Sequence, residues 1–228
     1  MNNKNDIPSS NLQKLIDIGR SLSREKNINI LLEKILIESR NISNSDGGTL
    51  YLLKNDDLKF EIMHTESKNA YFGGSAQPVP DSTYPVKLYK DNKPNMSQVS
   101  AACALTGKTI NIKDAYSDKE YDLSGLKGFD TRTDYYSKAL LNVPLKNHKD
   151  EVIGVLQLIN PMNKKEIVHY TNEMIDLVES LASQASIALT NQLLINEQKE
   201  LFQSFIQLVS EALDRKDKVT GGHCTRVP

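Results

Sequence analysis

The sequence has only two cysteines, almost no net charge and no long apolar run, and each absence argues against a class of protein. Cys103 and Cys224 lie far apart without a CxxC pair, which favours a reduced, cytoplasmic chain over a disulfide scaffold. A net charge of −1 provides no basic field for nucleic acid. No stretch approaches the roughly 18–20 apolar residues that cross a bilayer, and the first residues lack a signal-peptide core. We therefore expect a soluble, cytoplasmic protein with no nucleic-acid or membrane partner, although a membrane segment beyond its ends stays open.

Catalytic and metal-binding constellations are also missing from the sequence. His64, His148 and His169 have no carboxylate or cysteine at a metal-ligand spacing. The sequence shows neither a Ser/His/Asp nor a Cys/His arrangement, and it has no phosphate-binding glycine loop. We therefore predict that this chain is not itself an enzyme and holds no cofactor of its own.

What the sequence does contain is the pattern of a mixed α/β domain. Leu141, Val143 and Leu145 alternate along one predicted strand, and residues 152–159 form a second strand that is apolar on both faces. The polar run 146–151 between them predicts a hairpin turn. Because a strand that is apolar on both faces must be covered on both sides, the predicted fold class is α/β (α+β). We expect an antiparallel sheet with helices across one face and pocket loops over the other.

Shorter patterns predict the elements before this hairpin. The first are a helix from Leu12 with Ser10 as its N-cap, a helix from Ile28 to about Ser43 and a turn at 44–48. A hairpin of strands 49–53 and 58–65 follows, and then a lid or binding loop at 66–96 with one short strand at 86–88. The last are a short helix at 99–106 that ends at Gly107, a strand at 109–112 and a polar pocket wall at 114–128.

A long helix is predicted from Thr171, its N-cap, to about residue 217. At 1.5 Å per residue it would be about 65–70 Å long, which a domain of this size cannot cover. Two neighbouring seams on this helix repeat every seven residues. The first is apolar and consists of Ile187, Leu194, Leu201 and Leu208. The second is mostly polar and consists of Gln184, Asn191, Gln198 and Phe205. This period is typical of a parallel partner helix, so we predict a homodimer through this C-terminal helix. Packing of the helix back onto its own domain is the alternative.

The segment GFDTRTDYYSKALLNVPL, residues 128–145, resembles GAF domains of the phosphodiesterase and adenylate-cyclase type. Their pattern is FD, two residues, T, then Y, then S or T, and on to LLxVP. The resemblance covers residues 12–195, which it implies are a GAF sensor domain. Residues 1–11 would then be a flexible N-terminus, and residues 171–217 would be the exit helix that carries a signal.

The resemblance also implies a ligand-binding site. In GAF domains that bind cyclic nucleotides, the contacts come from an Asp and two hydroxyl residues at positions held here by Asp130, Thr133 and Ser137. Gln157 replaces an acidic residue on the last hairpin strand. Two aromatic residues of the same segment complete the predicted ligand-binding set, and they are Phe129 and Tyr136.

Other features limit which ligand this site could bind. The Asn-Lys…Phe…Asp-Glu motif of the nucleotide binders is largely replaced after Asn160, which argues against cyclic AMP or cyclic GMP itself. A covalent bilin would need a cysteine with a nearby histidine, which Cys103 lacks, and His64 is the one candidate for an axial haem ligand. If Asp130 only caps its turn, the domain is instead a ligand-free GAF that serves as a dimerisation scaffold.

The C-terminal segment SEALDRKDKVTGGHCTRVP resembles the opening of an HD-GYP phosphohydrolase domain. The resemblance implies that residues 218–228 are its truncated start and that His223 is a metal-site residue in a full-length parent. Such a parent would hydrolyse cyclic di-GMP with divalent Fe or Mn, and the GAF module would regulate it. A chance helix end at TGGH is the alternative.

Overall fold

A computed structural model of the chain describes residues 6–81 and 83–216, and within them it has five helices and ten strands. The helices are α1 (Asp6–Arg24), α2 (Ile28–Ser43), α3 (Val99–Thr106), α4 (Ser124–Thr133) and α5 (Asn172–Lys216). The strands are β1 (Ser45–Lys54), β2 (Asp57–Thr65), β3 (Ala70–Gly73), β4 (Val86–Lys87), β5 (Tyr89–Lys90), β6 (Lys93–Pro94), β7 (Ile110–Ile112), β8 (Leu140–Lys146), β9 (Val152–Asn163) and β10 (Glu166–Ile167).

The main sheet is antiparallel, in the order β3-β2-β1-β9-β8-β7, with β4 paired to β2 and β10 paired to β9. The hairpin of β8 and β9 pairs Leu140 with Ile159 and runs to Lys146 opposite Val152. The predicted hairpins of β1 with β2 and of β8 with β9 are both confirmed, and so is the fold class. Strands β5 and β6 form a separate pair.

The two faces of the sheet are covered by different helices. Leu36 of α2 packs closely against Gly48 of β1. A Cβ atom at Gly48 would lie 2.8 Å from Leu36 Cδ1. This side, the α2 face, carries the buried apolar residues Leu50, Leu52, Leu141, Val143, Leu156 and Leu158. On the opposite side, the α3 face, Tyr51 and Val155 pack with Ala101 and Cys103 of α3.

Two helix starts are fixed by side-chain caps. Asn27 accepts hydrogen bonds from the backbone N–H groups of Asn29 and Ile30 at the start of α2. The Thr171 hydroxyl accepts the N–H of Met174 at 3.2 Å, so the predicted cap of the long helix is confirmed. No helix among residues 6–81 and 83–216 is long and apolar enough to span a membrane.

The chain divides into two compact units, one ending at Thr190 and the other beginning at Asn191, and α5 belongs to both. In the first unit, α5 buries Val178, Leu181, Ala182, Ala185 and Leu189. In the second unit it exposes large apolar side chains, which are Leu194, Ile195, Leu201, Phe202, Phe205, Ile206, Leu208 and Val209.

Three local predictions are wrong. Helix α1 begins at Asp6, so Ser10 lies inside it and is not its N-cap. The expected turn at 44–48 is largely the start of β1, where a glycine is needed because α2 packs closely. Residues 124–133, which overlap the end of the expected pocket wall, form α4, whose two glycines favour a loop from sequence alone.

Candidate ligand-binding site

Three polar side chains form a row across the middle of the α3 face. Thr49 of β1 and Asn142 of β8 are both register partners of Gln157 on β9. All three residues are buried in strands that are otherwise mostly apolar. Because a buried polar group is costly without a hydrogen bond, such a row indicates a hydrogen-bonded network or a ligand.

Side-chain hydrogen bonds join Asn142 and Gln157 of this row and leave the Asn142 Nδ2 group unused. Asn142 Oδ1 accepts from Gln157 Nε2 at 3.1 Å and from Ser100 Oγ of α3 at 3.3 Å. The Tyr51 hydroxyl donates to Gln157 Oε1 at 3.3 Å, and burial raises the pKa of Tyr51 to about 12, so it remains a neutral donor. Asn142 Nδ2 is buried and has no partner among the described residues. The network therefore offers a buried NH2 group, which has two N–H donors, to acceptor atoms on a ligand.

Of the sequence-predicted residues, Gln157 lies in this network, whereas Thr49, Tyr51, Ser100 and Asn142 were missed. The signal for Asn142 was present in the sequence, because it is the single polar residue in the apolar segment LLNVPL. It became informative only with the register, which places it opposite Gln157.

Asp130 and Ser137, two of the predicted ligand-binding residues, lie together near the end of α4 and bind each other. The Asp130 carboxylate accepts from Ser137 N at 2.8 Å, Ser137 Oγ at 2.7 Å and the Tyr116 hydroxyl at 2.7 Å. The hydrogen bond to Asp130 raises the pKa of Tyr116 to about 12. We call these three residues the α4 clamp, because they join the end of α4 to the chain entering β8.

The other predicted ligand residues lie nearer the surface. Thr133 is exposed, and its hydroxyl donates to the backbone oxygen of Phe129 at 2.9 Å within α4. Phe129 is half-buried. Tyr136 is 48% exposed and stacks on Tyr116 with ring centroids 4.6 Å apart. The ligand-binding roles of these residues stay predictions.

Asn160 lies near the end of β9 and makes hydrogen bonds to the segment that joins α4 to β8. Its Oδ1 atom accepts the N–H groups of Lys138 and Ala139 at 2.8 and 3.1 Å. Its Nδ2 atom donates to the Tyr136 carbonyl at 2.7 Å and to the Tyr135 hydroxyl at 3.2 Å. The amide thereby fixes the loop between α4 and β8.

Two surface cavities, of about 430 and 390 Å³, lie elsewhere on the molecule. The larger lies beside α1 and α2, where Arg20, Arg24 and Lys34 line it. The smaller is lined by residues of α2 and by His64. None of the predicted ligand-binding residues lines either cavity.

The described residues offer little for covalent or metal chemistry. Cys103 is buried, and burial raises the pKa of its thiol to about 12, which disfavours the reactive thiolate. Within residues 6–81 and 83–216, no group of three His, Cys, Asp or Glu side chains could hold a metal ion. The predicted metal-site residue, His223, and the TGGH segment lie outside the described residues.

Comparison with known proteins gives a consistent result. The GAF domain family model matches residues 27–189. A cGMP-specific 3′,5′-cyclic phosphodiesterase from Drosophila virilis is 27% identical over 152 residues, which are 65% of this chain but only 16% of that protein.

Solved structures with little sequence identity share the fold. The GAF domain from a phosphoenolpyruvate-protein phosphotransferase of Coxiella burnetii has a TM-score of 0.60 at 14% identity, covering 86% of this chain and 99% of that one. A GAF domain/HD domain protein from Geobacter sulfurreducens has a TM-score of 0.51 at 13% identity, covering 76% and 98%.

Proposed function

The chain belongs to the GAF domain family, and from that premise we propose that it senses a small, nucleotide-like ligand on the α3 face. GAF domains are small-molecule-sensing regulatory modules of signalling proteins. The observation that carries the proposal is the unused Asn142 Nδ2 donor within a buried polar row. Side-chain amides suit the edge of a base, and hydroxyls suit phosphate oxygens.

Ligand binding would act on α4 through the α4 clamp. A ligand N–H or hydroxyl that replaced Tyr116 or Ser137 on the Asp130 carboxylate would loosen the link between α4 and β8. Phe129, Thr133 and the rest of α4 would then rearrange around the ligand. A ligand shifts this equilibrium only as far as it binds the loosened state more tightly.

The signal would leave through α5 to an output domain. The exposed apolar residues of α5 support a parallel homodimer, because Leu194, Leu201 and Leu208 keep a seven-residue period. The proposed output is an HD-GYP domain that hydrolyses cyclic di-GMP in the cytoplasm, with Fe or Mn bound there and His223 among its metal ligands. The Geobacter sulfurreducens protein named above likewise contains a GAF domain and an HD domain.

Native mass spectrometry tests the sensing role, with two matched asparagine variants. Asn142→Leu removes the donor of the polar row, whereas Asn111→Leu makes the same change on the neighbouring strand but on the α2 face. We expect the wild type and Asn111→Leu to retain a small molecule that Asn142→Leu loses. Equal retention by Asn142→Leu and the wild type would place the ligand elsewhere.

Native mass spectrometry of two further variants tests the proposed homodimer. Leu201→Lys introduces a charge into the apolar seam, whereas Gln203→Lys introduces it two residues away, on the side of the helix opposite the seam. We expect Leu201→Lys to be monomeric and Gln203→Lys to remain dimeric. A dimer that survives Leu201→Lys would show that α5 does not form the interface.

A ligand-free dimerisation scaffold is the second candidate function. It is favoured by the α4 clamp, in which the Asp130 carboxylate already accepts three hydrogen bonds from the protein. On this alternative, the wild type is a dimer that carries no small molecule, and Asn142→Leu leaves its mass and oligomeric state unchanged.

A further inference from the structure

The cavity of about 390 Å³ lies on the α2 face and is separate from the polar row. His64, which lines it, is the register partner of Gly48 and therefore projects from the side opposite Thr49. Arg40 of α2 and Tyr71 of β3 contribute to the same wall.

The His64 ring is buried beside this cavity. It is 3% exposed, and neither Nδ1 nor Nε2 has a hydrogen-bond partner among the described residues. Its nearest ring is Tyr71, edge-on with centroids 5.1 Å apart. Burial, followed by the charge of Arg40, lowers the pKa of His64, so near pH 7 its neutral ring has one N–H donor and one acceptor unused. A buried ring nitrogen without a hydrogen bond lowers the stability of the fold, unless a molecule in the cavity binds it.

Arg40 is a buried cation whose partner carboxylate, Glu66, is largely exposed. Its side chain is 9% exposed, while that of Glu66 is 64% exposed. Arg40 donates from Nη2 to Glu66 Oε2 at 3.0 Å and from Nε to the Ser45 carbonyl at 3.3 Å. The hydrogen bond from Arg40 lowers the pKa of Glu66, which keeps it ionised. An exposed carboxylate gains little from such a pair, so another anion can replace it.

The remaining acidic residue of the cavity wall is held by other groups. Glu33 Oε2 accepts from Ser75 Oγ at 2.6 Å and from Ser75 N at 3.3 Å. These donors stabilise its negative charge at the rim of the cavity. Among the polar residues that line the cavity, the two buried ones are Arg40 and His64, and both can donate hydrogen bonds.

We infer that this cavity is a second binding site, for a small oxyanion that replaces Glu66 on Arg40 and accepts the N–H of His64. The chemistry is that of a carboxylate or a phosphate group, which the planar guanidinium binds well. The site is on the opposite face from the proposed sensing site and does not depend on it.

Anion titration of the whole chain, followed by the imidazole ¹⁵N resonances at pH 7, tests this inference. The probes are sodium acetate and sodium phosphate, with sodium chloride at equal ionic strength as the reference. We expect a saturable shift of the His64 resonances, assigned with His64→Gln, in acetate, phosphate or both. The two probes distinguish a carboxylate site from a phosphate site. Shifts no larger than those in chloride would overturn the inference.

Glu66→Gln gives the sharper result, because glutamine keeps the size of the side chain and an oxygen acceptor for Arg40 while removing the competing charge. Removal of the competing carboxylate should tighten anion binding about two- to fivefold, the factor expected from a surface-type ion pair. The control is Glu61→Gln, which removes the same charge from the ion pair between Lys54 of β1 and Glu61 of β2 and should leave the affinity unchanged. Equal or weaker binding by Glu66→Gln would contradict the inference.

Arg40→Lys completes the set while keeping the buried charge. A lysine cannot form the paired N–H contacts of a guanidinium, so the anion affinity should fall by about tenfold or more. Asn142→Leu should bind the anion as the wild type does, which separates this site from the sensing site. Wild-type affinity in Arg40→Lys would show that the anion binds elsewhere.

Discussion

The two faces of the sheet are formed by alternate residues of the same strands, yet they differ in kind. The α2 face presents glycine, leucine and valine in β1, β8 and β9, with Leu50 opposite Leu156. One residue along, the α3 face presents Thr49 opposite Gln157. Because neighbouring side chains in a strand point to opposite sides, a one-residue step separates an apolar core from a polar network. Stability and recognition can therefore be changed separately.

The largest expected effect comes from the apolar face. Leu156→Ala removes a fully buried side chain from the centre of the α2 face. The free energy of unfolding should fall by about 2–5 kcal/mol, because the lost transfer energy adds to the cost of a cavity. Urea denaturation measures this difference. A loss below about 1 kcal/mol would mean that this face is loosely packed, and the contrast between the faces would disappear.

Two adjacent glycines compare the faces directly. Gly48→Ala places a Cβ 2.8 Å from Leu36 Cδ1 and 3.0 Å from the Gln157 carbonyl, so it should cost about 1–3 kcal/mol. Gly47→Ala places one on the α3 face, where the nearest atom, the His64 carbonyl, is 3.4 Å away. It should be neutral or stabilise by about 0.4–1 kcal/mol, because alanine restricts the unfolded chain.

Thermal or urea unfolding of these two variants, compared with the wild type, decides the point. If the faces differ as described, the two substitutions change the free energy of unfolding in opposite directions or by clearly different amounts. If Gly47→Ala is as damaging as Gly48→Ala, both faces are equally tightly packed near the start of β1.

The smallest expected effect concerns His64, a buried polar residue on the α2 face. Its pKa in the folded chain lies below its ordinary value of 6.5, first because of burial and then because of Arg40. As the pH falls below about 6.5, the unfolded chain binds a proton at this residue more readily than the folded chain. Stability should therefore fall as the pH decreases through this range, until the folded residue also titrates.

The measurement compares urea unfolding at pH 7.5 and 5.5 in the wild type and in His64→Gln. The variant should show a smaller loss of stability between the two pH values, because glutamine does not titrate. The same loss in both proteins would mean that other groups cause the pH dependence.

The sequence predicted the hairpins and the long helix because their signals are local. Alternating apolar residues, a polar turn and the Thr171 cap each act within a few residues. Helix α4 was missed because its glycines oppose the helix locally. Contacts made elsewhere, including Leu126 against the cluster around Leu140, override that preference.

The candidate site was predicted less completely, for a different reason. The spacing of Asp130 and Ser137 brings them together, but it does not distinguish residues that bind a ligand from residues that bind each other. The polar row depends on which strands pair and in what register, and Thr49 lies 93 residues before Asn142 in the chain. Only the folded sheet brings such distant residues together.

The four hydrogen bonds of Asn160 determine how its amide must be oriented. With two N–H groups on one side and two oxygens on the other, reversal of the amide would set like against like at every contact. An aspartate of the same shape would keep the accepting side and lose the donating one. The two hydrogen bonds donated by Nδ2 are therefore what make this position specific for asparagine over aspartate.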